Sequence, residues 1–97
     1  MPYVRITTFR LRAGDRARLE QLMDAAIGPI SAQPGFRSIT AYIAEDGLEC
    51  GAVSIWDTRA DAEAITAAAR DQAQRQAGDF LAGPPTTHIH EVYEPKG

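Results

Sequence analysis

His88 and His90 stand two residues apart in Thr86-Thr87-His88-Ile89-His90-Glu91-Val92-Tyr93, a run that reads as a strand. Residues i and i+2 of a strand leave the same face, so the two imidazoles project side by side. An imidazole titrates near neutral pH and suits proton abstraction from a phenol, which makes this pair the candidate general base. A divalent metal would need a third ligand, and Glu91 points the opposite way, so no metal site is expected. The other reading is a pair of partly exposed or interface imidazoles.

Trp56, the only tryptophan, is a candidate wall for a flat aromatic substrate, or else a large hydrophobe that seals a strand–helix junction. Tyr42 and Tyr3 can each offer a hydroxyl to a carbonyl. Arg37 and Arg5 are potential anchors for a carboxylate or phenolate, the alternative being solvated or ion-paired arginines. Cys50 alternates with Leu48 and Ala52, which marks a small buried hydrophobe and not a nucleophile. There is no phosphate loop, nucleophile elbow, or flavin or nicotinamide fingerprint, so no bound cofactor is expected.

The elements that would position these residues follow from periodicity. Residues 3–12 alternate, with Val4, Ile6 and Thr8 on one side and Tyr3, Arg5, Thr7, Phe9 and Leu11 on the other. After Ala13-Gly14, Asp15 is the expected N-cap of a helix whose Leu19, Leu22, Met23, Ala26, Ile27 and Ile30 form one apolar stripe. Pro29 has no N–H for residue 25, so a kink or restart is expected there, and Gln33-Pro34-Gly35 ends the helix. Phe36–Ala44 and Leu48–Trp56 read as strands joined by a hairpin at Glu45-Asp46-Gly47. Gly51 inside the third strand marks a bulge or a close backbone approach. Thr58, with Asp61 three residues on, caps a second helical region carrying Ile65, Ala69, Ala73 and Ala77 at four-residue spacing. That region is expected to break near Gly78.

Ninety-seven residues imply one domain, 1–97, whose stability alone is modest. The order β-α-β-β-α-β predicts an α+β, ferredoxin-like fold, a four-stranded antiparallel sheet with both helical regions on one face. The other face is left bare, and it displays Val4, Ile6, Ile39, Ile43, Val53 and Ile55 if those are not the helix-facing set. A bare apolar face is normally an interface, so a homodimer built as an α+β barrel is expected. A net charge of −3 without a basic stripe argues against nucleic acid, and no apolar run is long enough to span a membrane. One cysteine and no recognisable leader point to the cytoplasm.

Three segments carry a family resemblance. Gln33-Pro34-Gly35-Phe36, the run Val53-Ser54-Ile55-Trp56-Asp57-Thr58-Arg59-Ala60-Asp61-Ala62-Glu63-Ala64, and the closing His90-Glu91-Val92-Tyr93-Glu94 resemble antibiotic biosynthesis monooxygenase domains. The resemblance implies a pocket between helices and sheet, with Trp56 at the position of a tryptophan that ends the third strand. Thr7 stands at the position where the haem-degrading branch has an asparagine near the oxygen site. Thr66 to Arg70 lack the histidine that ligates iron in that branch, and Ala52 replaces an asparagine of the polyketide branch. The reading drawn from these residues is a cofactor-independent monooxygenase of a small aromatic, quinol or polyketide in type. His88, His90 and Trp56 are its catalytic candidates, and Thr7, Arg37, Tyr42 and Trp56 its substrate contacts. A non-catalytic, small-molecule-binding or stress-related dimer is the alternative, with haem binding or degradation third.

Overall fold

The computed structural model describes residues 1–96 apart from Ala13, and the side chains of Ala73, Gln76 and Ala77 also lie outside the description. The expected stripe positions Ala73 and Ala77 therefore lie outside the described side chains.

Strand β1 (Tyr3–Arg10) opens the chain, and Asp15 then caps helix α1 (Arg16–Ser31) by accepting from the Arg18 N–H at 3.1 Å. Strands β2 (Phe36–Ile43) and β3 (Glu49–Trp56) form the predicted hairpin. Its Gly47 has φ +71°, and Asp46 Oδ1 accepts from the Leu48 N–H at 2.9 Å. Thr58 caps α2 (Arg59–Ala64) by accepting from the Asp61 N–H, α3 (Thr66–Ala77) follows, and β4 (Thr86–Glu91) closes the sheet. The strand order is β2-β3-β1-β4, antiparallel throughout. This is the expected ferredoxin-like α+β arrangement, with the helices on one face.

Three local features depart from expectation. Helix α1 does not restart at Pro29 but continues through it to Ser31. The carbonyl that Pro29 cannot serve, that of Ala25, accepts instead from Gln72 Nε2 of α3 at 3.1 Å. The missing helical bond thus becomes a clamp between two helices. The second helical region breaks at Ile65 and not first at Gly78. Ile65 is buried with Trp56 and Ala62, so α2 packs on the sheet before the chain turns and α3 packs on α1. The bulge lies at Arg37 and not at Gly51: Phe36 faces Trp56 and Ser38 faces Ile55, leaving Arg37 as the extra residue.

That bulge shifts the alternation, so Phe36, Ile39 and Ile43 all reach the helix side. The bare face accordingly carries Val4, Ile6, Val53 and Ile55 but neither Ile39 nor Ile43. Gly51 marks the close approach that its position suggested. A Cβ there would fall 2.2 Å from the Thr7 carbonyl oxygen and 2.7 Å from the Tyr42 ring.

The buried apolar residues form two clusters. One joins Leu11, Leu19, Leu22, Cys50, Phe80 and Leu81; the other joins Trp56, Ala62 and Ile65. Burial of each Leu, Ile or Phe side chain among them contributes about 1.5–3 kcal/mol.

Replacing Gln72 by Leu strands the Ala25 carbonyl and should cost about 1 kcal/mol in urea unfolding. In a Pro29→Ala background the restored N–H serves that carbonyl, and the cost of Gln72→Leu should fall below about 0.5 kcal/mol. Additive costs would show that the clamp does not replace the lost bond.

Candidate functional site

A cleft opens between the two clusters. Its floor is the helix-facing side of the sheet: Arg5, Thr7 and Phe9 from β1, Ile39 from β2, and Cys50 to Ala52 from β3. One wall is the α1 stripe of Leu22, Met23, Ala26, Ile27 and Ile30, and Ala69 and Gln72 of α3 complete it. It encloses about 600 Å³ including its open mouth. It is a small slot between the sheet and the helices.

The slot is lined almost wholly by carbon, which makes its few polar groups informative. Arg5 and Thr7 are each only 4% exposed. Arg5 Nε donates to Thr66 Oγ1 at 3.4 Å, and Thr7 Oγ1 lies 3.3 Å from Thr87 Oγ1 on β4. Burial pushes the Arg5 guanidinium below its usual value. Burial, aided by Glu49, pushes the Cys50 thiol up to about 11, so it stays protonated and inert at neutral pH.

The residues singled out by sequence are distributed over several environments. Thr7 lines the slot. Trp56 does not: it is fully buried beside Ala62 and Ile65, with its ring edge-on to Phe36 at 5.5 Å and its Nε1 donating to Ser54 Oγ at 2.8 Å. Ser54 Oγ in turn reaches the Arg5 carbonyl at 3.4 Å. Arg37 is exposed on the bulge and pairs with Asp57. Tyr42 lies on the bare face, where its hydroxyl meets Thr8 Oγ1 at 3.1 Å.

His88 and His90 leave the same face as their spacing requires, with rings stacked at 6.2 Å. They pair with Ile6 and Val4, so that face is the bare one, opposite the slot. Gln72 was absent from the sequence-derived candidates. Its signal was available, as a polar residue three positions after Ala69 on the apolar side of the second helical region.

The antibiotic biosynthesis monooxygenase family model matches residues 2–77. The chain belongs to the antibiotic biosynthesis monooxygenase family. Solved structures with the same fold include Rv0793 from Mycobacterium tuberculosis, at 24% identity and TM-score 0.76, with 100% of each chain covered. SnoaB, a cofactor-independent oxygenase from Streptomyces nogalater, superposes with TM-score 0.76 at 12% identity, covering 98% of this chain and 96% of its own. The ActVA-Orf6 monooxygenase of Streptomyces coelicolor, solved with Nanaomycin D, gives TM-score 0.72 at 20% identity over 96% of this chain and 88% of its own. No curated protein matches by sequence. Strand β4, which supplies Thr87 beside Thr7, lies beyond the segment that the antibiotic biosynthesis monooxygenase model matches. Among the described residues, no helix is long and apolar enough to cross a membrane.

Proposed function

We propose that this family member is a monooxygenase that needs no bound cofactor and oxidises a small aromatic, quinol or polyketide in type, in the slot between helices and sheet. The observation that carries the reading is the slot itself, apolar and, among the described residues, polar only at Arg5, Thr7 and Gln72. Its support from relatives is that SnoaB is described as a cofactor-independent oxygenase and that the ActVA-Orf6 enzyme was solved with Nanaomycin D. In such a reaction the substrate supplies the electrons. A ring CH₂ becomes C=O, one atom of dioxygen going to the carbon and the other leaving as water with the two hydrogens. The protein orients the substrate and excludes water from the reacting carbon.

His88, His90 and Trp56, the catalytic candidates from sequence, stand outside this slot, and among the described residues its lining holds no histidine or carboxylate to act as a base. The substrate therefore gives its proton to solvent before oxygen reacts, within this reading. The same feature favours a second reading, a non-catalytic small-molecule-binding dimer on the same fold. Oxygen uptake with anthrone-like and quinol substrates separates the two. Turnover that Ala26→Phe, which fills the slot, reduces at least about tenfold supports the enzyme. No uptake with any substrate, or uptake untouched by that substitution, overturns it.

The proposal includes a homodimer in the cytoplasm. Val53 is 36% exposed and lies with Val4, Ile6 and Ile55 on the sheet face that no helix covers. A second copy laid face to face removes that apolar surface from water. Sedimentation velocity at micromolar concentration should give a dimer, and Val53→Glu a monomer. A monomeric wild type would contradict the assembly.

A further inference from the structure

Among the described residues, Arg5 is the one charged side chain in the lining of the slot, and it is only 4% exposed. Among the described residues, no carboxylate lies within 4.0 Å of it. Its cross-strand neighbours, Ser54 and Ile89, bring no charge. Burying a cation without a counter-charge is strongly unfavourable, and native proteins usually pair it.

Among the described residues, only Nε has a side-chain partner, the Thr66 hydroxyl at 3.4 Å. The two terminal nitrogens carry four of the guanidinium's five N–H donors. No enclosed side-chain nitrogen or oxygen among the described residues lacks a partner, so these nitrogens keep access to open space. The slot that Arg5 lines supplies it. A solvated arginine would not be buried this far, and a structural one would have its carboxylate.

We infer that the slot binds a flat apolar molecule bearing an anionic oxygen, a carboxylate or a phenolate, which Arg5 fixes as the missing counter-charge. The planar fork presents parallel donors to such an oxygen pair. Leu22, Met23, Ile27 and Ile39 take the apolar body, and the Thr7 hydroxyl, two residues along the same strand face, is a further donor. This rests on the slot being the ligand site of the proposed oxygenase and adds the ligand's charge. It also supplies what that reaction lacks, since a fixed cation favours the ionised substrate without a protein base.

The test varies charge on the ligand. Wild-type protein is titrated with benzoate, with neutral benzamide, and with 4-nitrophenol above and below its ionisation pH, followed by NMR. The ionised partner in at least one pair should bind about tenfold more tightly, because a hydrogen bond to a charged group is the stronger kind. A preference in the benzoate pair assigns a carboxylate, and one confined to nitrophenol assigns a phenolate. Arg5→Met should reduce the preference to within about twofold and Arg5→Lys should keep part of it. If Arg5→Met does not fold, the wild-type pairs decide alone. Neutral and ionised forms binding alike, or neither binding, overturns the inference. Selective binding without oxygen uptake leaves it standing and removes the oxygenase reading instead.

Discussion

Helices cover one face of this sheet and leave the other bare, and strand alternation then decides which chemistry each side receives. In β1 the odd positions Arg5, Thr7 and Phe9 go to the helix side and the even positions Val4, Ile6 and Thr8 to the bare side. A shift of one residue in that register would exchange the two sets completely. The pairing of β1 with both β3 and β4 fixes the register from two sides, and this puts Thr87 and Ile89 beside the slot floor and His88 and His90 on the bare face.

A short chain of polar contacts secures the region where this matters most. The Trp56 indole donates to Ser54, and Ser54 reaches the Arg5 carbonyl across the β1–β3 pair. Trp56 seals the second cluster and is linked through Ser54 to the backbone of Arg5. It acts through packing and one hydrogen bond, and it lies outside the slot lining. The slot exists because the clusters at either end do not meet, and the α1–α3 clamp of Gln72 on Ala25 holds its far wall together.

Much of this was legible in the residues. Asp15 and the Thr58–Asp61 pair announced their caps through local chemistry, and Asp46-Gly47 announced its turn. The side-by-side projection of His88 and His90 followed from spacing alone. The face they share did not, because it depends on partners more than 80 positions away in the chain, such as Ile6 opposite His88. The bulge at Arg37 is likewise a tertiary outcome. Phe36 and Ile39 differ by three positions, and only an extra residue brings both to the helix side of the sheet. Pro29 signalled a lost bond correctly, while the rescue of Ala25 came from a glutamine 47 positions along the chain. The break at Ile65 reflects where the chain leaves α2 on the sheet so that α3 can meet α1, a packing demand without a Gly or Pro to mark it.

Placing the ligand on the helix side of the sheet is the step on which the functional account stands. Backbone amide shifts of the isotope-labelled protein, recorded as an aromatic acid is added, locate the ligand directly. The account predicts perturbations concentrated at Arg5, Thr7, Ala52, Leu22 and Ile27. Shifts centred instead on Val53, Ile55, His88 and His90 would move the site to the bare face and contradict it.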